Sequence, residues 1–519
     1  MKVLNIRYKF RTKVYYPKTQ IKGNKYRILL IYPPSQTQVN YCCPMGLQMI
    51  AAVLEKAGYE VHLLDANATR KRLTIENIVQ ISHQLKPDII GMTLLTQLVR
   101  ESYILVSHLK STNAKLIAGG PHATILPDEA IHHGFDAVVI GEGEATVEEA
   151  VKALLGQMPK DDVLGWVYRD DKGHPVHTKE RPFITNLDAL PMPARHLVNV
   201  RDYESGNNSN IHNSIFSSRG CPARCAFCSG GLFGKKFRFR SAQSILDEII
   251  YLYKTYNIKR FHFVDDAMTM DRNRLKQICD KLIEYDLPIT WYIMTRIDTI
   301  DEEALTWLAN AKCTEIHFGV ESGDPETLRK IHKPHTVEMV KRIIPMTAKL
   351  KIKPVVFFIF GFPWEDQKSI EKTSRLMQEL SPYVEFHPAI ASVLIPFPGT
   401  EIYDKYKNEY HFENWWLQED KTHTFITNSK RPYYDRKLFS VGNVLDFDFF
   451  CYSDEIKQKI LDLFIFMNKQ NKKNMSHLRR LITMTMIDIS KKSYVISPQL
   501  EKILFIAYKI ASQLNVNKK

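Results

Sequence analysis

The chain has 519 residues, 44% of them hydrophobic and 25% charged, with 22 Gly, 25 Pro and 8 Cys. That length supports two or three cores, and the composition excludes wholesale disorder, a collagen-like repeat and a disulfide-dense secreted scaffold. Net charge is +14, yet residues 1–27 hold nine Lys/Arg and no acid, and residues 421–519 hold 18 Lys/Arg against 8 Asp/Glu, so the long middle is net acidic. The basic N-terminus has no apolar core of the targeting kind and no run of about 18 apolar residues exists, so a cytoplasmic protein is the default expectation.

After a basic segment, 1–26, short apolar runs alternate with helical stretches. KYRILLIYPP predicts a strand stopped by Pro33 and Pro34, MGLQMIAAVLEKAG a helix and YEVHLLDA a second strand. Helices over 74–85, 99–111 and near 128–133 then alternate with the strands DIIGMTLL, AKLIAGG and DAVVIGEGE. Residues 27–155 therefore predict a Rossmann-like, doubly wound parallel sheet, with ligands beyond the carboxyl ends of the strands, where Pro33, Thr93, Gly119 and Gly141 fall.

Residues 156–212 predict a connector holding the hairpin LGWVYRDDKGHPVHT and the proline-interrupted LDALPMPARHL. Over 213–410 a second series places strands at 213–218, 259–266, 289–295, 314–322, 354–361 and 390–396. Helices between them fall at about 241–256, 271–285, 301–311, 336–350 and 367–380. Six such units predict a partial (β/α)6 barrel of TIM type, with its chemistry at the C-terminal strand ends. From 411 to 519 apolar and basic residues mix at helical spacing, as in DEIKQKILDLFIFMNKQNKK, SHLRRLITMTMIDIS and LEKILFIAYKIASQLN, which predicts a basic, mostly helical domain.

Just past the first barrel strand stands Ser217-Ser218-Arg219-Gly220-Cys221-Pro222-Ala223-Arg224-Cys225-Ala226-Phe227-Cys228, a CxxxCxxC motif. Three thiolates leave one iron of a four-iron cubane open, and an open iron can take a substrate or cofactor. Zinc needs a fourth ligand, and His212 and His262 lack the usual spacing. Disulfides leave one thiol unpaired, and three buried structural cysteines within eight residues of a Gly/Pro-containing loop make poor packing. Cys42 and Cys43 suggest no separate metal site, and Cys279, Cys313 and Cys451 read as packing residues.

With Phe227 before the last Cys, this motif resembles the signature of the radical S-adenosylmethionine (SAM) enzymes. Pro33-Pro34, Pro44-Met45-Gly46-Leu47, Gly119-Gly120-Pro121-His122, Gly141-Glu142-Gly143-Glu144, LDALPMP, FVDD at 263–266, Thr295-Arg296, FGVESG at 318–323, FGFPWE at 360–365 and PFPGTEIY at 396–403 further resemble the branch with an N-terminal cobalamin-binding domain. The likeness spans about residues 27–408. It implies a [4Fe-4S] cluster on Cys221, Cys225 and Cys228, with SAM chelated by the open iron and cleaved to a 5′-deoxyadenosyl radical. It further implies SAM contacts at Phe227, Asp265, Glu321, Ser322 and Gly361, and cobalamin contacts at Pro33, Gly46, Thr93, Gly119, Gly120, His122, Gly141 and Glu142.

Departures from the family's patterns leave alternatives open. Asp265 and Asp266 stand where many relatives have Gly-Gly-Glu, and the plain reading is that they cap the next helix. The Asp-x-His-x-x-Gly motif of methionine-synthase-like domains is absent, so cobalamin is expected without a lower His ligand, with His122 as a loop or tail contact; the alternative is a domain that has lost cobalamin and serves as a scaffold. Glu142 and Glu144 also read as solvated acids at a helix start.

The resemblance implies a C-methyltransferase in which the radical abstracts hydrogen, methylcobalamin delivers methyl and a second SAM restores it. Alternatives are a radical cyclase, oxidase or ring-rearranging enzyme, or a non-catalytic corrinoid or iron–sulfur binding protein. Expected partners are a small, apolar or anionic substrate, a one-electron reductant such as flavodoxin or ferredoxin, and an anionic membrane surface for the basic ends. No basic–aromatic series or RNA-binding module points to nucleic acid.

Overall fold

The apolar run Arg27–Tyr32 forms strand β1, and its Ile28, Leu29, Leu30 and Ile31 are all buried because helices cover both faces of its sheet. The computed structural model describes residues 26–35, 42–68, 70–203, 211–230, 232–386, 393–418 and 448–473. β1 pairs in parallel with β2 (Glu60–Asp65) and β5 (Ile89–Thr93), followed by β6 (Lys115–Gly119) and β7 (Ala137–Val139). Between β2 and β5 a small antiparallel pair, β3 (Asn67–Ala68) and β4 (Lys71–Arg72), stands apart. Helices α1 (Met45–Lys56) and α6 (Gly143–Leu154) cover one face of the sheet. The other carries α2 (Ile75–Leu85), α3 (Val99–Leu109), α4 (Pro121–Ile125) and α5 (Pro127–His132).

The hairpin expected in the connector belongs to this sheet. Its strands β8 (Trp166–Arg169) and β9 (Pro175–His177) extend it antiparallel from β7, with Trp166 wholly buried. A short strand with one large aromatic on its inward side finds more apolar area on an existing sheet than in a free-standing hairpin.

The second sheet is parallel throughout, in the order β10 (Ser214–Ile215), β13 (Arg260–Phe263), β14 (Thr290–Thr295), β15 (Cys313–Glu321), β16 (Lys353–Phe358) and β17 (Glu385–Phe386). Helices α7 (Ala242–Tyr256), α8 (Arg272–Tyr285), α9 (Glu302–Asn310), α10 (Pro325–Lys330), α11 (Val337–Lys349) and α12 (Gln367–Leu380) connect the strands. Strand β14 shows the period-two pattern, with Trp291, Ile293 and Thr295 buried while Tyr292 and Met294 turn to the lumen side. The sixth strand is Glu385–Phe386 rather than 390–396. Residues 390–392 lie outside the described residues, and Val393 makes only a single bridge to Phe360. Two residues between Pro382 and Pro388 are too few to print an alternation in the sequence.

Helix α13 (Glu401–Tyr406) follows the barrel, and residues 411–418 and 448–452 do not form a separate helical domain. Phe412, Trp415, Trp416, Phe449 and Phe450 join a core that contains Leu29, Val99 and Val106 of the first domain and Ala226, Ile331 and Phe362 of the barrel. Helix α14 (Asp454–Lys473) buries Ile460, Leu463, Phe464 and Met467 against the barrel, and the Asn471 amide bonds both the N–H and the C=O of Phe386, covering the edge of β17. The predicted helices at 476–490 and 500–515 and the basic segment 1–25 lie outside the described residues. Among the described residues no helix is long and apolar enough to cross a membrane.

Candidate active site

The three cysteines ride on one loop with fixed feet. Strands β11 (Ser218–Arg219) and β12 (Arg238–Phe239) pair antiparallel, with Arg219 opposite Arg238, and everything between them is the loop. Gly220 has φ +83, and a Cβ there would overlap the Lys236 carbonyl oxygen, so the first turn requires glycine. At mid-loop, Ala226 N–H donates to the Ile331 carbonyl at 3.2 Å and its carbonyl accepts from Ile402 N–H at 3.1 Å. Cys221 and Cys225 are half-buried and Cys228 is exposed, all as free thiols.

Two cations lie beside them: Arg296, from the Thr295-Arg296 pair of the family resemblance, and Lys333, which the sequence did not mark. Arg296, held by Asp298 through two bonds of 3.0 Å, places Nη1 3.7 Å from Cys225 Sγ. Lys333 pairs with Glu321 at 2.8 Å and stands 5.6 Å from the Phe227 ring centre. Burial works against its charge, but Glu321 and then Cys225 hold its pKa above the usual value. Such a pair of cations offsets the negative charge of thiolates on an iron–sulfur cluster. Among the described residues no three His, Cys, Asp or Glu side chains converge as ligands of a single ion. Three thiolates on separate iron corners require no such convergence, so the donor set fits a cluster rather than zinc. His212 stands 3.6 Å from Cys43 Sγ, and His262 stacks on Tyr292, so neither serves as a fourth ligand.

A cavity of about 350 Å³ opens between the C-terminal edge of the first sheet and the barrel mouth. Gly46, Thr93, Gly119, Gly120 and Gly141 line it together with the apolar Leu30, Ile50, Ile117, Val139 and Val147. Phe216, Arg219, Phe233 and Asp266 face it from the barrel side. Gly120 has φ +90, and a Cβ there would stand 2.5 Å from Thr93 Oγ1. Three residues expected here, Pro33, His122 and Glu142, lie outside its lining. Pro33 is buried and outside the lining. His122 is 0% exposed, with Nδ1 3.1 Å from Thr96 Oγ1 and Nε2 3.0 Å from Glu129, which also accepts from Tyr103 and Trp416. It belongs to a buried polar cluster, not to a tail contact. Glu142 and Glu144 are not solvated acids: Glu142 pairs with Arg219 and Arg238, and Glu144 with Arg219.

The carboxylates after β13 have different surroundings. Asp265 is 1% exposed and accepts from Ser217 N–H at 2.5 Å, Ser218 N–H at 3.1 Å and the Ser217 hydroxyl, so it builds the turn into the cysteine loop and is closed to ligand. Asp266 faces the cavity, where burial and then the charge of Asp265 push its pKa up. Neither caps α8; Asp271 does, accepting from Arg274 N–H at 2.8 Å. Ser322, fully buried, bonds Thr373 and Asp324 N–H rather than open space. Glu321 is bent into φ +68 and tied to Lys333. Over Gly361, φ +83, lies the Tyr452 ring, whose hydroxyl donates to the glycine carbonyl; the neighbour that needs its missing Cβ is this tyrosine.

A B12-binding domain model matches residues 37–151, and a Radical SAM superfamily model matches residues 215–377. An uncharacterised methyltransferase of Pyrococcus horikoshii is 30% identical over 389 residues, 73% of this chain and 82% of its own length. Cytidylyl-2-hydroxyethylphosphonate methyltransferase of Streptomyces wedmorensis is 30% identical over 392 residues, 65% of this chain and 73% of its own. The solved radical S-adenosylmethionine methyltransferase TsrM from Kitasatospora setae, with cobalamin and [4Fe-4S] cluster bound, shares the fold at a TM-score of 0.61 and 18% identity, over 83% of this chain and 84% of that one.

Proposed function

The chain belongs to the cobalamin-binding radical SAM enzymes, and from that premise we propose that it is a C-methyltransferase acting on an unactivated carbon of a small molecule. Its cofactors are a [4Fe-4S] cluster, SAM and cobalamin, and its electrons come from an external reductant, for which we take the flavodoxin or ferredoxin class. Bound together, they supply one-electron cleavage of SAM to a 5′-deoxyadenosyl radical and a methyl group for transfer.

The observation that carries the reading is the cavity, which has corrinoid-domain glycines on one wall and Ser218 and Arg219, the first foot of the cysteine loop, on the other. Cys221, Cys225 and Cys228 would hold the cluster through their thiolates. Arg296 and Lys333 would balance the charge of a cluster held there, and Lys333 fixes the Glu321 carboxylate, which would meet the ribose and methionine parts of SAM. Asp266, in place of Asp265, accepts from the SAM amino group. Phe227 packs towards Phe362 at 6.4 Å between centroids, which anchors the loop beside Cys228. Gly46, Thr93, Gly119, Gly120 and Gly141 admit the nucleotide tail of cobalamin close to the backbone, and the apolar lining residues exclude water around it.

The test is anaerobic reconstitution with iron, sulfide, SAM, hydroxocobalamin and a reductant. S-adenosylhomocysteine formed together with 5′-deoxyadenosine supports methyl transfer; deoxyadenosine alone favours cyclisation or rearrangement. Replacing the three cysteines by Ala abolishes SAM cleavage and leaves corrinoid binding in place. A protein that binds no iron and forms no deoxyadenosine refutes the reading.

A further inference from the structure

Building on that function, we propose that the buried ion cluster Arg219–Glu142–Arg238–Glu144 is a positioning device that transmits occupancy of the corrinoid cavity to the cysteine loop. Arg219 and Arg238 face each other across β11 and β12, so they are the two feet of the loop, and Arg219 is two residues from Cys221. Both side chains reach out of the barrel to the start of α6 in the first domain. Glu142 Oε1 accepts from Arg219 at 3.0 Å and from Arg238 at 2.8 Å, while its Oε2 accepts from Arg238 at 2.9 Å and Ile184 N–H at 2.7 Å. Glu144 receives Arg219 through bonds of 2.5 and 3.3 Å.

All four side chains are at most 7% exposed, so the charges are compensated two against two with little solvent between them. Aromatic rings fix the guanidinium planes: Phe216 and Phe233 lie 4.8 and 5.2 Å from Arg219, and Phe183 lies 4.9 Å from Arg238. Arg238 additionally donates to the Phe233 and Ile184 carbonyls, which binds the loop and the interdomain segment to one cation.

Buried ion pairs contribute little net stability but strongly resist rearrangement, because a shift that separates one pair leaves a desolvated charge. Arg219 and Glu144 also form part of the cavity wall. A ligand filling the cavity therefore presses on side chains that set the backbone beside Cys221. Because the four side chains are bonded to one another, a displacement of Arg219 by the ligand carries the cluster and the loop feet to a second arrangement together, and two sites that bias one such two-state element are coupled reciprocally.

The test uses the full chain. Hydrogen exchange of residues 218–239 is measured on cluster-free protein with and without hydroxocobalamin, and SAM cleavage without substrate is measured on cluster-loaded protein in the same two states. Wild type shows slower exchange on adding hydroxocobalamin and a change of about fivefold or more in cleavage rate. Glu142→Gln binds hydroxocobalamin by its visible spectrum and forms deoxyadenosine, but loses both responses. If Glu142→Gln does not fold, Arg238→Lys retains the positive charge without the forked geometry, and it too loses both. Responses that persist at wild-type size in the folded variants, or that are missing in a wild type that binds hydroxocobalamin and cleaves SAM, overturn the proposal. A wild type that binds no hydroxocobalamin and cleaves no SAM overturns the enzyme reading instead.

Discussion

Replacing Asp265 by Ala tests the division of labour between the two adjacent carboxylates. The substitution leaves the Ser217 and Ser218 N–H groups and the Ser217 hydroxyl without their acceptor at a site only 1% exposed. It also removes the charge facing Arg274, whose guanidinium donates to the Ser217 carbonyl at 2.7 Å. Hydrogen bonds to a charged acceptor contribute about 1.5–3 kcal/mol each. The three are not additive, since water enters the vacated space, and the expected loss is about 3–5 kcal/mol. Asp266→Asn breaks no ion pair or hydrogen bond among the described residues, so stability moves by at most about 0.5 kcal/mol. There the effect falls on SAM affinity, about tenfold or more for one charge-assisted bond. Denaturant unfolding followed by tryptophan fluorescence, with SAM titrated calorimetrically into reconstituted protein, reads both quantities. The reasoning is refuted by the opposite pattern, in which Asp265→Ala unfolds at the wild-type midpoint but loses SAM while Asp266→Asn binds it normally.

Glu365 accepts from the Gly361 and Phe362 amides, yet burial outweighs these bonds and raises its pKa to about 8. A raised folded-state value means that its contribution to stability is present at low pH and lost as pH rises through about 8, so the melting temperature of wild type falls more than that of Glu365→Gln between about pH 5 and pH 9. Equal slopes in the two proteins contradict the assignment. Gly120→Ala forces a side chain onto φ +90 and against Thr93. It costs about 1–3 kcal/mol and reduces hydroxocobalamin retention after gel filtration, whereas retention at wild-type level would remove Gly120 from the corrinoid site. His122→Gln lowers the unfolding free energy by about 1–2 kcal/mol through its bond to Glu129, read as a lower denaturation midpoint, and leaves the bound-corrinoid spectrum unchanged. A changed spectrum would return His122 to the ligand site.

The two β/α series and the cysteine loop were legible because their signals are local: strand and helix periods, and three thiols within eight residues. What escaped depends on partners far along the chain. Glu142 meets Arg219 across 77 positions and Glu129 meets Trp416 across 287, so the sequence offers an acid near a helix start and says nothing of the cation that buries it. Asp265 and Asp266 are chemically identical neighbours, and only the direction of the chain after β13 decides which meets the Ser217 amide and which the cavity. Arg296 carries a weaker signal, a basic residue directly after β14, whereas Lys333 lies 12 residues past the end of β15 and beyond α10, where nothing local marks it. The Arg296 signal becomes informative once β14 is known to end beside the cysteine loop.

The core that joins Val106, Phe362 and Trp416 has a practical consequence for anyone wishing to exchange parts of such enzymes. The boundaries suggested by the chain's linear order do not coincide with seams in its interior. A corrinoid domain excised at residue 155 would lose the hairpin that finishes its sheet, as well as the Trp416 ring that lies 5.4 Å from His122 and covers its other face. The freed fragment would expose aromatic-sized apolar ground and tend to aggregate. Transplants that carry β8, β9 and the 393–418 and 448–452 segments along with the domain keep that ground covered, and these composite pieces are the units in which the protein is divisible.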